Sequence, residues 1–163
     1  MSEEERPEID AEAYETARRE IRQALQTCNN EIDAHEIVCQ DLSGRFDHYS
    51  WVGIYVVEGD ELVLSAWEGP EETEHDRIAV GEGICGLAAE TGETEVVPDV
   101  SERPEFIACF PSTKSEIVVP ILASDGSVLG EIDVDSDWKD AFDESDRALL
   151  EEIAGELAEI MER

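Results

Sequence analysis

Ser115-Glu116-Ile117-Val118-Val119-Pro120-Ile121-Leu122, then Ser124-Asp125-Gly126, then Val128-Leu129-Gly130-Glu131-Ile132-Asp133-Val134-Asp135-Ser136: this stretch reads as strand, turn and partner strand. Branched apolar residues dominate the first run, and Ser-Asp-Gly supplies turn chemistry. Asp133 and Asp135 are two apart on one strand, so their side chains share a face, while Ile132 and Val134 point to the opposite, apolar face. Glu116 interrupts the apolar first run, and if the two strands pair it joins the aspartates. Glu131 beside them reads as one more carboxylate of a solvated face.

Working outward, Trp51 to Val57 and Leu62 to Trp67 flank the turn Glu58-Gly59-Asp60 as a second hairpin. Arg77 to Val80 is a short strand. Gly81-Glu82-Gly83 leads into a helix from about Ile84 to Glu90, stopped by Gly92. Glu95 to Val97 is another strand, ended by Pro98, and a long loop follows, punctuated by Pro104 and Pro111. Tyr14, Ala17, Ile21, Ala24, Leu25 and Cys28 recur at helical spacing, and Asn29-Asn30 breaks that helix. A second helix carries Ile32, His35, Val38, Cys39, Leu42 and Phe46 on its inner side. Asp143 and Asp146 resemble an N-cap and an acidic first turn. The last helix runs to about Met161, with Leu149, Leu150, Ile153 and Leu157 in its apolar stripe. Helices at both ends with strands between predict an α+β fold. The terminal helices cover one sheet face, and the other holds a loop-covered pocket. Residues 1–8 read as a flexible N-terminus and 9–163 as one domain.

The chain has 163 residues, with 43 Asp+Glu against 11 Lys+Arg and a formal net charge of −32. Such a surface repels nucleic-acid phosphates and anionic membranes. Apolar residues, at 41%, suffice for a core, so the acidity is not that of a disordered tail. No run approaches the roughly 18–20 apolar residues of a membrane span. The start lacks a basic segment followed by an apolar one, so a cytoplasmic location is expected. The acids are spread along the chain and only two lysines occur, Lys114 and Lys139. The simplest reading is an intracellular protein of an extreme halophile, whose self-repulsion molar salt screens.

Four cysteines, Cys28, Cys39, Cys85 and Cys109, form no Cys-x-x-Cys pair. Cys109 lies in a proline-bounded loop, Glu105-Phe106-Ile107-Ala108-Cys109-Phe110-Pro111, where it is either an accessible thiol or a small apolar filler. Cys85 falls in the first turn of the short helix, where unpaired N–H groups favour a thiolate and lower its pKa; tight packing between Gly83 and Gly86 is the other reading. Glu116, Asp133 and Asp135, if they converge, would repel one another and hold a proton at neutral pH, as a general acid requires. Trp51 and Tyr55 share a strand face and form either core or an aromatic wall for a methyl-sulfur or cationic group. His35 and Cys39 are at i, i+4 on a helix, but no further ligands complete a metal site.

Taken together the chain resembles a GAF domain, and within that fold the free methionine-(R)-sulfoxide reductases. The resemblance runs from about Ser50 to Leu150. It rests on Trp51-Val52-Gly53-Ile54-Tyr55, Arg77-Ile78-Ala79-Val80-Gly81-Glu82-Gly83-Ile84-Cys85-Gly86, Ile107-Ala108-Cys109, Ser115 to Pro120, Gly130 to Ser136 and Phe142-Asp143-Glu144. The interval of 24 from Cys85 to Cys109 and the step of seven from Cys109 to Glu116 also match. The resemblance implies Cys109 as the nucleophile that becomes a sulfenic acid, then a disulfide with a second cysteine that a thioredoxin-like partner reduces. It implies that Glu116, Asp133 and Asp135 hold the amino group and handle the proton. Trp51 and Tyr55 would surround the S-methyl, and backbone N–H groups near Ile107 and Ala108 would take the carboxylate. No cofactor or metal is implied, and a homodimer through the terminal helices is a further expectation.

Two positions depart from the pattern. His75 stands where the family's usual resolving cysteine would be, so Cys85 or an external thiol takes that step, or the pocket is a non-catalytic ligand-binding or redox-sensing module. Glu131 replaces a commonly apolar residue, a change attributed to the acidic surface.

Overall fold

The structure, a computed structural model, describes residues 6–103 and 112–163. Four helices, α1 (Ala11–Gln26), α2 (Glu31–Arg45), α3 (Gly83–Thr91) and α4 (Glu144–Met161), accompany six strands. The strands are β1 (Trp51–Glu58), β2 (Glu61–Glu68), β3 (Arg77–Ala79), β4 (Glu95–Val97), β5 (Ser115–Leu122) and β6 (Val128–Ser136). They form one antiparallel sheet in the order β3-β2-β1-β6-β5-β4. The two hairpins predicted from sequence are therefore its centre, joined through β1 and β6. The architecture is α+β, as expected.

Local chemistry sets the boundaries. The Asn30 side chain accepts from the Asp33 N–H at 2.9 Å and starts α2. Asp143 and Asp146 form a reciprocal capping box at the head of α4. Period-two alternation sends Val52, Ile54, Ile117, Val119, Ile132 and Val134 to one sheet face, where α2 and α4 cover them. The helix α1 packs on α2 and α4 as a further layer. Ile32 departs from the expected inner face of α2: it is 57% exposed. It lies in the first turn of that helix, whose buried stripe consists of Ala34, His35, Val38, Cys39 and Leu42.

A polar knot fastens these layers. Asp146 is fully buried and its Oδ1 accepts from Tyr14 Oη at 3.0 Å, Tyr49 Oη at 2.9 Å and His48 Nε2 at 2.8 Å. Its Oδ2 accepts from Arg6 Nη1 at 3.1 Å and from the Asp143 N–H at 2.9 Å. Phe46 and Phe142 pack around the rings of Tyr14, His48 and Tyr49.

The centre of the sheet tolerates no added side chain at Gly130. A Cβ there would lie 2.2 Å from the Tyr55 carbonyl oxygen of the neighbouring strand. Gly130→Ala is expected to lower the unfolding free energy by about 1–3 kcal/mol, because β1 and β6 must separate to admit the methyl. Urea unfolding of the two proteins measures this.

Candidate functional site

The face opposite α2 and α4 carries the candidate residues Trp51, Tyr55, Glu116, Asp133 and Asp135. Pairing across β1, β6 and β5 sets Trp51 opposite Asp135, and Asp135 opposite Glu116. One step along, Gly53 faces Asp133; one further, Tyr55 faces Glu131. The predicted convergence of Glu116, Asp133 and Asp135 is thus produced by register. All three are buried.

The helix α3 lies over this face beside β5 and β6. Its approach depends on Gly86, where a Cβ would meet the Ala79 carbonyl oxygen at 2.6 Å. Cys85, in the first turn, is carried down onto the carboxylates. Its Sγ, one Glu116 carboxylate oxygen and one Asp133 carboxylate oxygen all lie within 4.8 Å of one another.

Electrostatics follow from this enclosure. Burial pushes the Glu116 carboxyl well above its ordinary range, and the charges of Asp133 and Asp135 push it further. Asp135 is raised by burial first and by Asp133 next. Asp133 is also raised by burial, against opposing hydrogen bonding from Glu116, Cys85 and Asp135. Desolvation, rather than mutual repulsion, is the main cause of the upward shift in all three. The same environment overturns the expectation for Cys85. Its thiol is raised well above its usual range, by burial and then by Asp133, Glu131, Glu116 and Asp135.

Glu131 is the second correction. It is completely buried, opposite Tyr55, rather than part of a solvated acidic surface. Neither of its carboxylate oxygens has a hydrogen-bond partner among the described residues. Position 131 is two before 133, so strand periodicity alone places it on the pocket face; the abundance of surface acids concealed that signal. Glu131→Met, close in volume, is expected to stabilise the protein by about 1–3 kcal/mol, since it removes a buried polar group that has no hydrogen-bond partner among the described residues. Thermal unfolding of both proteins in the same salt tests this.

Trp51 and Tyr55 share the pocket face as predicted. The Trp51 indole lies across two glycines: a Cβ at Gly53 or at Gly69 would come within 2.4 Å of the ring. Trp67 stacks on Trp51 with centroids 6.4 Å apart. Tyr55 donates its hydroxyl to the His75 carbonyl at 2.8 Å, which ties the strand to the loop before β3. A cavity of about 270 Å³ opens beside Trp51 and Asp135, lined also by Ser50, Pro70, Glu71, Ser112, Thr113 and Asp137. A larger open groove, about 600 Å³, lies by α4 at Arg147, Glu151 and Ala154, and no cysteine or histidine lines it.

Ile107, Ala108 and Cys109 lie outside the described residues. Cys28, Cys39 and Cys85 are free thiols. His35 and Cys39 are both buried in the helix-covered core region. His35 Nδ1 pairs with Ser65 Oγ at 2.7 Å, and burial lowers its pKa to about 4.

Fold and site together define an α+β domain with a thiol and four acids buried on one sheet face, beside a cavity that Trp51 and Asp135 line. The sequence profile of the GAF domain matches residues 33–162, and the chain belongs to the GAF family. The free methionine-R-sulfoxide reductase of Saccharomyces cerevisiae is 44% identical over 108 residues, which are 64% of this chain and 59% of that protein. The chain thus spans about three fifths of that relative's length. The crystal structure of free methionine-R-sulfoxide reductase from Neisseria meningitidis, in complex with its substrate, is 36% identical, with a TM-score of 0.88 over 99% of this chain and 96% of that one. A type II free methionine-R-sulfoxide reductase from Thermoplasma acidophilum is 40% identical, with a TM-score of 0.73 over 91% and 94% of the two chains. No helix among the described residues is long and apolar enough to cross a membrane.

Proposed function

We propose that this protein reduces free L-methionine-(R)-sulfoxide to methionine. The observation that carries the reading is the buried cluster of Glu116, Asp133 and Asp135 beneath Trp51, in a chain related to reductases of that name. The Cys109 thiolate attacks the sulfoxide sulfur, and a buried carboxylic acid delivers a proton to the departing oxygen. Methionine leaves and Cys109 becomes a sulfenic acid. A second thiol, Cys85 or an external one, attacks that sulfenic acid, and water leaves as the disulfide forms. A thioredoxin-like dithiol then reduces the disulfide and is itself oxidised. Free carboxylates of the cluster take the substrate's ammonium, Trp51 and Tyr55 enclose the S-methyl, and N–H groups near Ile107 and Ala108 take its carboxylate.

The test is reduction of the free R-sulfoxide in molar salt, with dithiothreitol and with thioredoxin as reductants and the S-epimer as control. Selective loss of the R-epimer is expected; a folded protein that leaves it untouched overturns the reading in favour of a ligand-binding module. Glu116→Gln is expected to lower kcat/KM by about 10²–10⁴-fold, the usual range for a proton-transfer group.

We also infer a halophilic setting from the net charge of −32. The midpoint of urea unfolding is expected to rise between dilute and molar potassium chloride, where the Debye length falls to about 3 Å. A midpoint that does not rise overturns it.

A further inference from the structure

We infer that Cys85, Glu116 and Asp133 form a binding site for one divalent cation of the zinc class, with Glu131 beside it. Three donor atoms from three separate elements, the head of α3, β5 and β6, already lie within 4.8 Å of one another. A second, independent observation points to a missing ligand. Both oxygens of Glu131, one of Asp133 and one of Asp135 are buried with no hydrogen-bond partner among the described residues. Native proteins rarely leave such atoms unpaired. No ion pair among the described residues reaches these carboxylates, and the segment 104–111 contains neither Lys nor Arg. A bound cation would give these oxygens the partner that the described residues do not supply.

The donor set selects the cation. Zinc takes thiolate sulfur at about 2.3 Å and carboxylate oxygen at about 2.0–2.2 Å, which calls for donors to close by roughly 1 Å around the ion. A thiolate is a poor ligand for magnesium or calcium, which prefer oxygen alone. On binding, Cys85 releases its thiol proton to solvent as the metal–sulfur bond forms, and any protonated carboxyl does the same. No electron moves. A Glu131 oxygen or a water completes four-coordination. The bound ion would also occupy the acids proposed to hold the substrate's ammonium and raise the apparent KM; that consequence alone rests on the reductase reading.

Cobalt(II) is the probe, added to the reduced full-length protein without substrate. One ion per chain is expected, with a thiolate-to-cobalt charge-transfer band in the near ultraviolet. Stoichiometric zinc should abolish that band, and millimolar magnesium should not. The band should persist in Cys109→Ser and vanish in Cys85→Ser. Glu116→Gln and Asp133→Asn should each weaken binding at least about tenfold; unchanged affinity in both overturns the site even if Cys85→Ser does not fold. Absence of the band in wild type, or its survival in folded Cys85→Ser, also overturns it. Because the readout is spectral, a protein that binds cobalt but reduces no sulfoxide would refute the proposed enzyme and leave the metal site standing.

Discussion

Cys109→Ser is expected to lower turnover of free methionine-(R)-sulfoxide by about three orders of magnitude or more, to the level of the background reaction. The size follows from the role proposed for the thiol: it forms the bond to sulfur and ends as the oxygen acceptor, and a serine hydroxyl does neither. Removing a nucleophile that acts in concert with an acid costs nearly the whole chemical advantage, because the remaining groups have nothing to assist. Substrate binding should change little, since the carboxylates and the aromatic wall are untouched. Single-turnover assays and calorimetric titration of the same variant separate the two. Activity within tenfold of wild type would remove Cys109 from the reaction. Cys85→Ser makes a useful contrast. If Cys85 resolves the sulfenic acid, one turnover survives in that variant and steady-state turnover with thioredoxin is lost.

Asp146→Ala should be the most damaging substitution away from the pocket, lowering the unfolding free energy by about 3–5 kcal/mol. Its carboxylate collects hydrogen bonds from Tyr14, Tyr49, His48 and Arg6, which belong to α1 and to the segments flanking α1 and β1. The truncation leaves these donors facing a void in the core. For a chain of this size that loss corresponds to a fall in Tm of roughly 6–20 °C. The pH dependence has a definite sign. Burial alone would raise the Asp146 carboxyl, but hydrogen bonds from His48, the Asp143 N–H and Tyr49, with the His48 charge, bring it below its ordinary value. A depressed carboxylate stabilises the fold above its unfolded pKa of about 3.9, and that contribution is lost as pH falls through the lower folded value. Urea unfolding from pH 7 down to pH 2 should show the difference between wild type and Asp146→Ala shrinking in acid. A constant difference would mean that the carboxylate's charge is not what the network uses.

Much of the fold was legible because its signals are local. Ser124-Asp125-Gly126 and Glu58-Gly59-Asp60 specify tight turns, and the alternation of Ile132 and Val134 with Asp133 and Asp135 assigns faces without a neighbour being known. Strand bounds at Glu95–Val97, Ser115–Leu122 and Val128–Ser136 agree with expectation for that reason. Where the reading failed, the deciding quantity was burial. Cys85 looked like an activated thiol from its place at a helix start, because the helix dipole is written in the local sequence and the four carboxylates around it are not. Ile32 looked buried because period alone does not say how far a helix overhangs the sheet.

The sequence by itself determined the order of elements, the two-faced sheet and the residue types available for chemistry, since these depend on spacing along one chain. It also determined the charge that sets the protein's dealings with solvent. Only the tertiary structure decided that the acids singled out by spacing are buried together, and that Glu131 joins them. Of 43 acidic residues, the register of β5, β6 and β1 draws Glu116, Glu131, Asp133 and Asp135 under α3 and away from water. Desolvation then does what composition cannot. It raises the pKa of these carboxyls and leaves the Glu131 oxygens without a hydrogen-bond partner among the described residues, because the energy of a charge depends on its surroundings and not on its identity.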